Sequence, residues 1–406
     1  MKIAFLTSIY PAHAEKIYKE NPSLKNKSSD EQMEFIRWHA LSSYVRWFEL
    51  LEEKGYQTCS FNHNLPHVEH AWAKENQFQT KTSNPIMEIG KEKITQFKPD
   101  IIFCFAPPTY LSNNFLYELA TSLEKKPKLI AWYGANAGNE NIFSFFDLTL
   151  SNSKHLVNCL NDKGIKADFL QHSFDPFILK RIKIPRKRKS RIAFFGNLNY
   201  STADFKNRTK FLEQISIKTG KVDVFGQISK ISSSSRLKYQ ALSARNVISD
   251  KLSKVIKSTK IDYWSDRKNL PSNAQVVSAK FASSVRSPRY GKAMFELLAS
   301  YDTALNYHNL HTGNNACNMR LFETTGLGCA LLTDAKDDLS EYFEVGKEIL
   351  TYDSFLDLVA KVKYLQNNPS EVKKLGENAQ RRTLECHNTD IQISRFIKIL
   401  KKNFSE

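Results

Sequence analysis

Between Gly313 and Gly328 the chain reads Gly-Asn-Asn-Ala-Cys-Asn-Met-Arg-Leu-Phe-Glu-Thr-Thr-Gly-Leu-Gly, a polar loop running into a helix-like segment. Unpaired N–H groups at such a helix start can receive a diphosphate. Arg320 adds a cation of fixed fork geometry. Glu323, about one turn further on, can accept hydrogen bonds from a sugar diol. The same residues also read as an Arg–Glu pair at i, i+3 on a helix closed by an ordinary glycine cap. A second candidate is Phe194-Phe195-Gly196-Asn197, a strand running into glycine. Ligands of open α/β sheets bind beyond the carboxyl ends of strands, where glycine permits close backbone approach; a plain tight turn explains the same glycine. A third, His63, His67 and His70 with Glu69, suggests a metal. Pro66 argues against the helix that would align these groups, so a loop with surface histidines is the better reading.

The elements that must position these residues alternate. Lys2 to Thr7, Ile101 to Phe105, Leu129 to Tyr133, Leu148 to Leu150 and Ala167 to Leu170 read as strands. Ser28 with Glu31 forms a capping box, followed by apolar residues at helical spacing from Met33 to Leu51, ended by Gly55. The pattern restarts with strands at Ile192 to Phe195, Val222 to Phe225, Thr303 to Tyr307 and Cys329 to Thr333. Helices are expected near Phe205 to Ile215, Lys292 to Ser300 and Met319 to Thr325. The end is helical from about Ser354, with Pro369 separating segments and Gly376 a candidate interruption. Strands alternating with helices make doubly wound parallel sheets, here two in tandem.

With 406 residues, 41% apolar and 12% aromatic, the chain can fill two cores, which excludes wholesale disorder. No apolar run approaches the ~18 residues of a membrane span. The start reads as a buried strand rather than a signal peptide, because Thr7-Ser8 and Pro11 break its apolar stretch. Six scattered cysteines without a Cys-x-x-Cys pair suit a reduced, cytoplasmic protein. No Gly-Lys-Ser/Thr or Gly-x-Ser-x-Gly motif occurs, which weakens kinase, ATPase and hydrolase readings.

Net charge is +17, and it is concentrated. Residues 228 to 289 hold 13 basic and 3 acidic groups, an excess of 10; residues 180 to 191 add 8 basic groups and no acid. These two segments account for more than the whole net charge. Such blocks attract nucleic acid, acidic lipid or phosphorylated substrates, although solvated loops explain them equally well.

The stretch Asn318 to Asp334 resembles the nucleotide-sugar site of GT-B glycosyltransferases (group 1 type), specifically the CgeB-like branch. Similar in the same way are Asp338 to Tyr352, Phe195-Gly196-Asn197 with Arg208, and Tyr290 to Leu298 leading to Leu305-Asn306-Tyr307-His308. Phe146 to Thr149 and His172 to Pro176 are similar to the end of that family's first domain. The resemblance spans roughly residues 98 to 400. It implies an α/β GT-B fold: two Rossmann-like domains facing across a cleft, with a C-terminal helix crossing back. The expected divisions are an acceptor domain at 1–179, a basic linker at 180–191, and a nucleotide-sugar domain at 192–388 with a basic insertion at 228–289. The returning helix would fall within 389–406.

By the same resemblance Glu323 grips the donor ribose, and Arg320 and Asn318 lie beside the phosphates. Gly196 and Asn197 form a first loop against the diphosphate, with Arg208 and Lys292 as cations there. His308 reads either as a contact to the transferred sugar or its leaving phosphate, or as a buried structural histidine. Related retaining enzymes often carry a second glutamate eight residues before the first; that position is Asn315 here. The implied activity is sugar transfer from a nucleotide diphosphate to a glycan or lipid-linked acceptor in bacterial surface polysaccharide synthesis, retaining and without a metal or other cofactor. The segment 228–289 would dock on an anionic membrane surface at the inner face, with Leu252, Val255 and Ile256 in a short basic amphipathic helix. Two rivals are a nucleic-acid-binding protein and a catalytically inactive relative in surface-coat assembly; no specific nucleic acid is expected.

Overall fold

The computed structural model describes residues 1–41, 46–105, 113–134, 140–198, 203–227, 278–308 and 313–404. The basic segment 228–289 lies outside them up to residue 277. Among the described residues no helix is long and apolar enough to cross a membrane.

The first sheet is built from β1 (Lys2–Thr7), β2 (Gln57–Asn62), β3 (Ile101–Phe105), β4 (Lys128–Trp132), β5 (Leu148–Ser151) and β6 (Ala167–Phe169). Its order is β2-β1-β3-β4-β5-β6, with every pairing parallel. The second contains β7 (Lys189–Phe195), β8 (Val222–Phe225), β9 (Tyr301–Leu305), β10 (Ala330–Asp334) and β11 (Leu350–Tyr352) in the order β11-β10-β9-β7-β8, again all parallel. Ile3, Ala4, Phe5 and Leu6 are all buried, as expected for a strand covered on both faces. β7 opens at Lys189, so the end of the basic stretch 180–191 is already strand. This is the GT-B arrangement of two α/β domains. The order of each sheet reverses beside its first strand, at β1/β3 and at β7/β9, and those are the crevices where such sheets bind ligands.

Several local expectations are corrected. The helical run from Met33 to Leu51 is two helices, α1 (Ser29–Ala40) and α2 (Trp47–Glu52). α1 ends at Leu41, which adopts a left-handed conformation (φ 44°). Pro66 does not break a helix but begins one, α3 (Pro66–Glu75), because a proline at the first position gives up an N–H with no intrahelical partner. His67 and His70 are therefore helical, and Glu69 is fully buried, accepting from the Asn62 N–H (2.9 Å) and pairing with Lys93 (3.3 Å). No group of residues suited to a metal occurs among the described residues. Gly376 does not interrupt its helix, Pro369–Cys386; a Cβ there would lie 2.5 Å from the Gly328 carbonyl oxygen, so it permits close packing on the turn before β10.

The domains are joined by more than the linker. After α4 (Gly291–Ala299) and α5 (Arg320–Gly326), the chain ends in α6 (Thr389–Phe404), which returns to the first domain. Ile393, Phe396, Ile399 and Leu400 enter one core with Ile3, Phe5, Trp47 and Phe103. Where the chain crosses, Phe174 donates its N–H to the His387 carbonyl (2.9 Å) and accepts from the Thr389 N–H (3.1 Å). Trp47 Nε1 and Ser173 Oγ both donate to Gln392 Oε1 (3.0 and 2.7 Å). Phe396, fully buried between the Trp47 and Phe103 rings at 5.0 and 5.4 Å, anchors the helix. We expect Phe396→Ala to cost ~3–5 kcal/mol of first-domain stability, read from the urea midpoint. An unshifted midpoint would mean the helix is not part of that core.

Candidate functional site

A cavity of ≈ 340 Å³ lies between the domains. On the first-domain side it is lined by the residues after β1 (Thr7 to Tyr10, and His13), by α1, and by Phe105 at the end of β3. On the second-domain side Arg289, Tyr290 and Gly291 approach it with Met319, Arg320 and Glu323. The first sheet's reversal point therefore opens into it, as parallel topology requires. Gly291 makes the approach possible. Its φ is +54°, and a Cβ would stand 2.0 Å from the His39 carbonyl oxygen. Only glycine accepts both conditions. Beside it the Tyr290 ring packs on Tyr10 (5.6 Å) and His13 (5.8 Å). Burial, with help from Lys16 and His39, pushes the His13 imidazole down to about 4, so it is neutral at physiological pH.

Arg320 and Glu323 sit together on α5, joined by an ion pair between Arg320 Nη1 and Glu323 Oε2. Arg320 Nε also donates to the Phe195 carbonyl (3.4 Å), which ties α5 to the end of β7. Burial lowers the guanidinium to about 10, still well above neutral pH. Three amides at the start of α5 are already taken. Leu321 N–H donates to Asn318 O (3.1 Å), and those of Phe322 and Glu323 to Met319 O (3.1 and 3.0 Å). A preceding turn thus satisfies three of the donors that the sequence suggested for a diphosphate, and full positive charge comes from the Arg320 side chain.

The other expected residues divide. The Gly196 N–H donates to Phe225 O (3.2 Å). Arg208, buried, donates through Nη2 to the Asn197 carbonyl, so it braces the loop after β7 from within. Asn318 Nδ2 donates to Asn306 Oδ1 and Tyr307 O (3.0 Å each), holding the exit of β9 against the entry to α5. Lys292 lies 3.9 Å from Glu296 on its own helix and is not among the cavity residues. His308 is fully buried and also absent from the cavity wall. Its Nδ1 is 2.7 Å from Asp334 Oδ1, which also accepts its backbone N–H (2.9 Å).

The polar loop before α5 faces the first domain. Asn315 Oδ1 accepts the His155 N–H (3.0 Å), and Ala316 O accepts Gln171 Nε2 (3.1 Å). Cys317 O accepts from Asn152 Nδ2. The residue standing where relatives often carry a second glutamate is thus spent on domain contact. Sequence reasoning missed Tyr10, His13 and Arg37 in the cavity, and Asp334 and Lys336 around His308. For Tyr10, His13, Asp334 and Lys336 the one signal is position at or after the end of a strand, which becomes meaningful only when strand order is known; Arg37, on α1, carries no such signal.

Residues 208–398 match the family model described as "Glycosyl transferase-like". Comparison with curated protein sequences finds no match. Among solved structures the chain is similar to a glycosyltransferase from Rickettsia africae (TM-score 0.55, 10% identity, covering 100% of this chain and 99% of that one). It is also similar to an α-glucosyltransferase in complex with UDP-glucose and DNA containing an abasic site (0.57, 10%, 99% and 99%). Anabaena HepE in complex with UDP and glucose is a third (0.52, 12%, 99% and 100%). Residues 208–398 thus match a glycosyl transferase-like family model, and the two-domain fold of the chain is the GT-B fold of these structures.

Asp334 offers a pH test of the region behind the site. Burial opposes its ionisation, but the hydrogen bonds and charge of His308, with the Lys336 ammonium 3.1 Å away, hold its carboxyl below the ordinary range. A carboxyl depressed in the folded state contributes stability above its unfolded pKa, and that stability is lost as pH falls through the folded pKa. We expect Asp334→Asn to cost ~1–3 kcal/mol at pH 7 and progressively less below about pH 4. Urea titrations at both pH values check this; a deficit that does not depend on pH would contradict it.

Proposed function

We propose that this protein transfers a sugar from a nucleotide diphosphate donor, held by the second domain, to a glycan or lipid-linked acceptor held by the first. The observation that carries this is the joint placement of Arg320 and Glu323 at the domain cleft, on the helix tied to the end of β7. Two structural neighbours hold UDP or UDP-glucose, which supports a nucleotide sugar as donor.

In this reading Arg320 balances the charge developing on the leaving diphosphate, and it also orients Glu323. A carboxylate has lone pairs to spare, so Glu323 can accept the ribose hydroxyls while paired. The loop Gly196–Asn197, braced by Arg208, and Asn318 shape the donor's surroundings, with Lys292 a further cation near the cleft. His308, fixed by Asp334, supports the floor of the donor site. A preorganised cation in a cleft stabilises charge without reorganisation at the moment of reaction. The resemblance to retaining relatives favours retention. The charge of residues 228–289 favours an anionic membrane surface at the inner face, where a surface-polysaccharide intermediate would be met.

We expect Glu323→Gln to weaken nucleotide-sugar use about ten- to hundredfold, the effect of losing a charged acceptor (~1.5–3 kcal/mol), with native melting. Titration of the pure protein with UDP-, GDP-, ADP- and TDP-sugars measures it. Unchanged donor affinity and turnover would remove Glu323 from the site. We also expect turnover to survive exhaustive EDTA, because Arg320 supplies positive charge and the sequence has no Asp-x-Asp pair. Loss with chelator and return with manganese would overturn metal independence.

A second reading, a nucleic-acid acceptor, is favoured by the two basic segments and by the DNA bound to one neighbour. Salt-titrated binding separates them, since contact with phosphates alone is sequence-blind and falls steeply with salt.

A further inference from the structure

The cavity at the first-domain side carries a feature that sugar binding does not use. Its wall there is largely apolar, with Ile9, Met33, Ile36, Leu65 and Phe105 facing inward, and its volume is at the lower end of small-molecule sites (about 300–1,000 Å³). Set into this wall is Arg37 of α1. Its guanidinium lies over the Phe48 ring at 5.0 Å, and its buried Nε has no hydrogen-bond partner. The charges facing the cavity are unbalanced. Arg37, Arg289 and Arg320 contribute three cations, whereas Glu323 is the one carboxylate among its described lining residues and is already paired with Arg320. His13, neutral at physiological pH, leaves this balance unchanged. A buried guanidinium donor left without an acceptor is costly, and planar guanidinium matches a carboxylate or phosphate.

We propose that the acceptor is an acidic amphiphile: an apolar body against Ile36 and Leu65, with its carboxylate or phosphate on Arg37. This rests on the reading of the first domain as the acceptor side and specifies the acceptor's chemical class. A neutral glycan could accept from the Arg37 Nε but would leave the apolar wall uncovered and the guanidinium without a countercharge. Arg37 is then a specificity-determining residue on the first-domain wall of the cavity, whereas the Arg320–Glu323 pair belongs to its second-domain wall.

Calorimetric titration of the full chain with octyl phosphate, octanoate and octanol tests this without the true acceptor. The two anions should bind about tenfold or more tightly than octanol, the effect of one charge-assisted contact. The tighter of the two anions identifies the acidic group. Arg37→Gln should bring both anions down to the affinity of octanol while leaving octanol unchanged. Arg37→Lys should retain part of the preference, which covers the case in which the glutamine variant folds poorly. Ile36→Trp, which fills the cavity, should weaken all three. Equal binding of octanol and the anions, a preference that persists in Arg37→Gln, or no binding of any probe would overturn the proposal. Nucleotide-sugar titration of the same wild-type sample keeps the readings apart. Donor binding without amphiphile binding sinks this inference alone, and amphiphile binding without donor binding sinks the transferase reading.

Discussion

The burial of α6 in the first domain's core is what makes a cleft out of two independent sheets. Ile393, Phe396 and Leu400 leave the second domain to pack among Phe5, Trp47 and Phe103, so the second domain's last turns are part of the first domain's interior. Because apolar burial is proportional to area and has no direction of its own, the polar contacts at the crossing set the orientation. Gln392 is the centre of these. It accepts from Trp47 and Ser173 and donates to Gln171 O (2.6 Å), all within buried surroundings where an unmade bond would be expensive. The last helix is thereby fixed in register as well as in place.

The remaining contacts between the domains follow from that constraint. The loop from Gly313 to Asn318 reaches the first domain through Asn315, Ala316 and Cys317, and Gly291 presses on the His39 carbonyl from the other side. Between these two contacts lies the cavity. Its second-domain wall is α5, whose Arg320 is bonded to the end of β7, and its first-domain wall begins at the end of β1. One reversal of strand order opens directly into the cavity, and the other is linked to it through Arg320. The loop conformations around the site are held by buried polar bonds, such as Arg208 on Asn197 and Asn318 on Tyr307, rather than left to the ligand to order. Such support reduces the entropy that binding must overcome.

Charge is distributed with the same economy. Arg320 is paired and partly buried, Asp334 is held between His308 and Lys336, and Glu69 between Lys93 and the Asn62 amide. Each of these three charges has a countercharge or a hydrogen-bond partner, as burial demands. Arg37 departs from this rule at its Nε, and it does so in the wall of the cavity.

Local residue order determined the alternation of elements, because periodicity and turn residues act within a few positions. Buried strands such as Ile101–Phe105, the helix carrying Arg320 and Glu323, the helical C-terminal region and the concentration of positive charge were all legible there. Misjudged elements had local causes of their own: a left-handed Leu41 that splits one apolar run, and a proline at the start of α3 that satisfies rather than breaks it. What only the tertiary structure decided was which ends meet. Asp334 beside His308, Asn315 against His155, and Tyr10, His13 and Arg37 in one cavity with Arg320 depend on strand order and on the placement of α6. Those are set by the summed packing of cores drawn from distant segments, so no pattern within a short stretch of chain records them.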